Sequence, residues 1–156
     1  MQRITTFLTY NTQAEDAARA YTSVFKNSKI ISTSRYGEGA PAPKGTVMSV
    51  IFELDGQRFH ALNGGPSFKF AEGISLFVNC ETQAEVDAYS EKLTANGGEQ
   101  GPCGWIKDRF GVSWQIVPSI LGTLLGDKDQ AKAGRVLQAM LKMKKLDIET
   151  LQRAAD

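Results

Sequence analysis

Of 156 residues two are cysteine, one is histidine and five are proline, and neither sign of charge is in surplus. Each shortage closes off a class of protein. Cys80 and Cys103 supply neither a disulfide framework nor a four-ligand zinc site. A formal net charge of +1 creates no overall field that would gather nucleic acid or an acidic membrane. No apolar run approaches the roughly twenty residues that a transmembrane helix requires. No basic flank followed by an apolar core opens the chain. The expectation is a cytoplasmic protein in a reducing compartment, with no nucleic-acid or membrane partner. What is present is ordinary globular composition, 42% apolar and 22% charged, which argues against disorder. The length suits one domain, 1–156.

Arg3 to Tyr10 is rich in β-branched and aromatic residues and reads as a strand. Thr12 and Glu15 follow at capping-box spacing, in which a threonine oxygen accepts from the third helical N–H and the glutamate reaches back. Ala14, Ala17, Ala18, Tyr21, Val24 and Phe25 then fall on one helical stripe. Lys29 to Tyr36 reads as a strand, and Gly37 to Gly45 as a Gly/Pro-rich loop. Thr46 to Leu54 and Gln57 to Asn63, joined by Asp55-Gly56, read as a hairpin.

The order β-α-β-β-β then begins again. Gly73 to Cys80 reads as a strand, and Thr82-Gln83-Ala84-Glu85 repeats Thr12-Gln13-Ala14-Glu15 at a distance of 70 residues. Val86, Tyr89 and Leu93 lie on one face of the helix it opens, which ends at Asn96-Gly97-Gly98. Gln100 to Lys107 and Phe110 to Val117 supply further strands around Asp108-Arg109. A match in both letters and context marks an internal duplication. Module one spans 1–66, module two 67–118, and a helical tail 119–156. In the tail, Asp127 to Lys144 places Ala133, Val136, Leu137, Met140 and Leu141 on one face, to be buried against the same chain or a second one. Asp147 is placed to cap a last helix carrying Ile148 and Leu151.

The doubled β-α-β-β-β plan resembles that of the vicinal oxygen chelate (glyoxalase/bleomycin-resistance/dioxygenase) superfamily. Local strings resemble its PhnB-like branch, often labelled "3-demethylubiquinone-9 3-methyltransferase". They are Ala61-Leu-Asn-Gly-Gly-Pro66, Ser75-Leu-Phe-Val78, Cys103-Gly-Trp105, Asp108-Arg-Phe-Gly-Val-Ser-Trp-Gln115 and Gly134-Arg-Val-Leu-Gln-Ala-Met-Leu-Lys-Met143. The resemblance implies an α+β fold: two tandem modules whose mixed sheets form a cupped cavity, with helices outside and the helical tail added, commonly as a homodimer. It does not imply a reaction, because one fold hosts many functions. The methyltransferase label finds no Gly-rich strand-to-helix turn with an acidic residue about twenty positions later.

Metalloenzymes of this superfamily take ligands from the first and last strands of each module. Carried onto this chain, those positions fall at about Thr5, at His60, at Gly73 or Ser75, and at Gln115. One imidazole, one amide and two hydroxyls, with no carboxylate, suit neither a hard cation nor a zinc or iron centre. No metal and no cofactor is therefore expected, with Glu53 the nearest carboxylate that could rescue a metal site. His60 reads either as a ligand hydrogen-bonder and catalytic base or as a structural histidine on a half-buried strand. Gln115 reads as a polar anchor in the cup or as one end of a cross-strand hydrogen bond. Trp105 lines a cavity mouth or packs in the core. Cys103 reads as an incidental thiol, since no histidine adjoins it, and Cys80 as a small buried apolar residue.

Three functions follow in order of expectation. The first is a module that binds a small organic molecule through His60, Gln115, Ser75, Thr5 and Trp105 without catalytic metal. The second is an isomerase- or lyase-type enzyme with a divalent metal or with His60 as base. The third is a dimeric interaction protein with a vestigial cavity.

Overall fold

In the computed structural model, which describes residues 1–156, the opening β-branched run forms β1 (Thr6–Tyr10) and leads into α1 (Ala14–Val24). β2 (Lys29–Arg35), β3 (Val47–Leu54) and β4 (Gln57–Asn63) complete a mixed sheet of order β1-β4-β3-β2. β1 runs parallel to β4 and the other pairs are antiparallel. The hairpin turn is the expected one: Asp55 and Gly56 have φ of 48° and 78°, the pair of positive values that matches strand twist.

Alternation divides this sheet into two faces. Leu8, Tyr10, Val50, Phe52, Leu54, Phe59 and Ala61 are buried, as are Ala14, Ala17, Ala18 and Tyr21 of α1. Small alanines let the helix sit close, and Phe52 stacks on Phe59 with ring centroids 5.5 Å apart. A fully buried Leu or Phe contributes about 1.5–3 kcal/mol, so this layer holds the unit together. β2 is one of the two edge strands, and its exposed Lys29, Ser32, Ser34 and Arg35 together with two register irregularities discourage pairing with another chain there.

The first capping box does not form. The α1 N-cap is Gln13 with no side-chain cap bond, and the orphan N–H of Ala14 donates instead to Asn63 Oδ1 at 2.8 Å. Glu15 turns outward to Arg19 and Arg35. A tertiary acceptor at the end of β4 has replaced the local one.

The second unit repeats the plan. β5 (Leu76–Cys80), α2 (Gln83–Thr94), β6 (Glu99–Gln100), β7 (Trp105–Lys107) and β8 (Ser113–Pro118) form a sheet of order β5-β8-β7-β6, again with one parallel pair, β5 with β8. Here the box does close: Thr82 Oγ1 accepts from Glu85 N, while Glu85 Oε2 accepts from the N–H of Glu81 rather than of the cap residue itself. The expected strand from Gln100 to Lys107 is broken by a 3-10 turn, Pro102–Gly104, because proline lacks an N–H and Cys103 and Gly104 take φ of 57° and 83°. Phe110 to Val112 is likewise not strand. It is a tight loop wrapped on Asp108, whose Oδ1 accepts from Phe110 N and Val112 N.

The tail forms α3 (Ile120–Leu125), α4 (Gln130–Leu141) and α5 (Ile148–Ala154). α4 starts later than expected because Asp129, not Asp127, is its cap. Asp147 caps α5 as read from sequence, accepting from Thr150 N at 2.8 Å. Val117, Leu121, Val136, Leu146 and Leu151 form the tail's own core, with Met140 and Met143 against it. The expected α4 stripe is therefore split: Val136 is fully buried, whereas Leu137 and Leu141 are exposed. Two compact units result, Met1–Lys69 and Phe70–Asp156. No helix is long and apolar enough to cross a membrane.

Candidate functional site

The face of each sheet turned away from its helix carries the residues singled out in sequence. In unit one, register places Phe7 of β1 directly across from His60 of β4, and His60 across from Ile51 of β3. The rings of Phe7 and His60 are 5.8 Å apart and tilted by 42°. His60 is half-buried and Phe7 is exposed. Thr5 lies just before β1, where its Oγ1 accepts from Gln2 Nε2 at 3.5 Å. The partner of His60 in the sheet is thus Phe7, not Thr5.

Unit two carries the same row. Phe77 of β5 lies across from Gln115 of β8, and Gln115 across from Trp105 of β7. Phe7 and Phe77 stand at the 70-residue spacing of the two TQAE strings. His60 and Gln115 occupy corresponding places on the last strand of each unit, as do Ile51 and Trp105 on the strand beside it. Phe7 and Phe77 are the residues that the sequence reading missed. Their signal in the sequence is the 70-residue offset itself, which sets a phenylalanine at the same place on the first strand of each module.

Gln115 Nε2 donates to Ser75 Oγ at 3.0 Å, so two of the proposed ligand-binding residues are joined within unit two. This is a cross-strand hydrogen bond, and it leaves the Gln115 carbonyl oxygen aimed by a fixed amide. No group of three His, Cys, Asp or Glu side chains gathers anywhere in the chain. Unit one offers His60 beside an aromatic ring, and unit two offers an amide bonded to a hydroxyl. That donor set does not fit a transition metal, which takes three or four imidazole, thiolate or carboxylate ligands.

Beside the row in unit two lies a cavity of about 440 Å³ lined by Trp105, Ile106, Lys107, Ser113, Glu99, Gln100, Gly101, Pro102 and Glu72. Trp105 is therefore a wall of a cavity while remaining half-buried. Lys107 Nζ meets Glu72 at 2.8 Å, and Glu99 stands across from Lys107 in the β6–β7 pair. Hydrogen bonding to Lys107 holds the Glu72 carboxyl below its usual range and raises Lys107 in turn.

Three structural devices fix this face. Asp108 is buried and its Oδ2 accepts from Trp114 Nε1 at 2.8 Å, which locks the strand that presents Gln115. The turn before Trp105 is tied to the tail: Cys103 N donates to Met143 O and Gly104 N to Lys144 O, at 2.9 and 2.8 Å. A Cβ at Gly104 would stand 2.8 Å from Ile116 O and 2.9 Å from Leu146 Cδ1, so only glycine permits that approach. Both thiols are accounted for as packing groups. Burial pushes Cys80 up to about 11, and Cys103 Sγ donates to Met140 O at 3.6 Å.

Residues 2–117 match the family model described as 3-demethylubiquinone-9 3-methyltransferase. Among solved structures, the chain is similar to one described as a 3-demethylubiquinone-9 3-methyltransferase, PhnB protein, from Bacillus cereus. The two share 40% identity over 76% of this chain and 100% of that one, with a TM-score of 0.69. A protein from Pseudomonas aeruginosa is 22% identical over 76% of this chain and 98% of its own, with a TM-score of 0.60. A fosfomycin resistance protein from Listeria monocytogenes, complexed with Mn(II) and dihydroxypropylphosphonic acid, shares the fold at 18% identity. It covers 73% of this chain and 90% of its own, with a TM-score of 0.51. Comparison with curated proteins gives no match.

Proposed function

Since the chain belongs to the 3-demethylubiquinone-9 3-methyltransferase family, PhnB-like within the glyoxalase/bleomycin-resistance superfamily, we propose that it binds a small organic molecule without a catalytic metal. The observation that carries this reading is the repeated row, Phe7–His60–Ile51 and Phe77–Gln115–Trp105. Each row sets one hydrogen-bonding side chain between apolar neighbours on a face that no helix covers. Binding sites have this composition: apolar walls supply most of the contact, and a few polar groups fix orientation. His60, Gln115 and Ser75 are the polar groups of the proposal, Thr5 adds a hydroxyl before β1, and Trp105 is a wall.

We do not read a methyl transfer from the family label, since the chain carries no Gly-rich strand-to-helix turn of the kind a nucleotide-binding methyltransferase would suggest. The Mn(II) of the Listeria protein is not carried over to this chain, because the candidate donors here are one imidazole, His60, and one amide oxygen, that of Gln115, with no carboxylate gathered beside them. We take the protein to work in the cytoplasm as a homodimer, with Leu137 and Leu141 of α4 as apolar surface available to a second copy.

A thermal-shift screen of small organic molecules, repeated on His60→Ala and Gln115→Ala, tests the reading. An organic hit whose shift shrinks in Gln115→Ala supports it. A shift given only by divalent cations, and lost in His60→Ala, overturns it in favour of a metal-dependent isomerase or lyase.

A further inference from the structure

We propose that the unit-two cavity beside Trp105 is a subsite for a flat organic cation, which Glu99 and the Trp105 ring select against anions of the same shape. This rests on the ligand-binding reading above and adds to it the chemical class. Three observations converge on the cavity. Its volume of about 440 Å³ lies within the range of small-molecule sites. Trp105 lines it, and indole is the ring that attracts cations most strongly. The lining carries two carboxylates, Glu72 and Glu99, and a single ammonium, Lys107. Lys107 is already committed to Glu72 at 2.8 Å. Lys107 faces Glu99 across the strand pair as well, so the lining holds one carboxylate more than it has cations, a balance that disfavours an arriving anion and favours a cation.

The cavity wall is also held in place before any ligand arrives. Gly101 N donates to Trp105 O at 2.8 Å, and Gln100 Nε2 donates to Gly101 O and Trp105 O at 3.1 and 3.0 Å. The backbone bonds from Cys103 and Gly104 to Met143 and Lys144 anchor the same turn from the tail side. A wall fixed in this way loses little freedom on binding, which favours a rigid ring over a flexible chain.

Three ligands of one ring shape separate the terms: 9-aminoacridine as cation, acridine as neutral at about pH 8, and acridine-9-carboxylate as anion. Each is titrated into the full chain by calorimetry, with Trp105→Leu and Glu99→Gln alongside. The cation is expected to bind about fivefold or more tighter than the neutral ring, consistent with one cation–π contact, with the anion weakest. Trp105→Leu is expected to weaken all three ligands and to narrow the preference, leaving the part that Glu99 supplies. Glu99 is exposed, so Glu99→Gln keeps the fold and narrows the gap between cation and neutral ring without changing acridine itself. Equal or tighter binding of the carboxylate overturns the proposal, as does an unchanged preference in Glu99→Gln. Failure of all three acridines, while other organic molecules still bind, overturns the subsite but not the ligand-binding reading. Failure of every organic molecule overturns both.

Discussion

The carboxylate of Asp108 accepts the indole N–H of Trp114 at 2.8 Å, with both residues almost wholly buried. Its other oxygen takes the backbone N–H groups of Phe110 and Val112. Three donors thus depend on one side chain, and the loop they close delivers β8 with Gln115 on the open face. Asp108→Ala is expected to destabilise unit two by about 3 kcal/mol, since it withdraws an acceptor shared by three N–H groups and a hydrogen bond to a charged group contributes about 1.5–3 kcal/mol. Asp108→Asn, which presents an amide N–H₂ to the indole N–H, is expected to recover only part of this. Urea unfolding followed by tryptophan fluorescence measures both, and a wild-type midpoint for Asp108→Ala would contradict the role assigned to it.

The two TQAE strings give a sharper contrast, because identical letters do different work. Thr82→Ala is expected to cost about 1 kcal/mol, the usual value of a lost N-cap. Thr12→Ala is expected to cost under about 0.3 kcal/mol, because α1 draws no cap bond from it. Asn63→Ala is expected to cost about 1–2 kcal/mol, since it removes the acceptor for Ala14 N and the donor to Val47 O together. Equal losses at Thr12 and Thr82 would show that the first box forms after all.

That contrast marks where sequence stops being informative. The strand and helix order, the Asp55-Gly56 hairpin and the Asp147 cap depend on neighbours within a few residues, and all were legible. The Asn63 cap spans 49 residues and was not. Likewise, the break at Pro102–Gly104 depends on carbonyls of Met143 and Lys144 about forty positions away. Of the residues in the proposed site, His60, Gln115, Ser75 and Thr5 were named through family resemblance, whereas the placing of Phe7 across from His60 and of Phe77 across from Gln115 required strand register. Glu99 and Lys107 are brought together only by the pairing of a two-residue strand.

The tail supplies a third test. Met140 packs against the tail core, so Met140→Asp is expected to cost about 2–4 kcal/mol through burial of a carboxylate. Leu137 is 40% exposed, and Leu137→Asp is expected to cost under about 0.5 kcal/mol at dilutions where the chain is monomeric. At higher concentration it is expected to shift light scattering from dimer towards monomer. Identical scattering for wild type and Leu137→Asp would remove this face from the proposed dimer.

Cys80 makes stability depend on alkaline pH. Burial, followed by the nearby Glu85 charge, raises its pKa from 9.0 to about 11. The folded state therefore holds the thiol proton more tightly than the unfolded chain does. The resulting stabilisation is complete below about pH 9 and is lost as pH rises through about 11. A melting temperature that falls less steeply over this window in Cys80→Ala than in wild type is expected. In the wild-type protein a thiol reagent at about pH 8 is expected to modify Cys103 well before the buried Cys80; rapid reaction of both would contradict the burial of Cys80.

The measurement closest to the central claim is a calorimetric titration of the best organic ligand from the screen, run with and without excess chelator. Metal-free binding on the Phe77–Gln115–Trp105 row predicts the same affinity in both buffers and about tenfold weaker binding by Gln115→Ala, the loss of one polar contact. Binding that vanishes in chelator and returns with added Mn(II) would contradict the account and place this chain among the metal-dependent proteins of this fold.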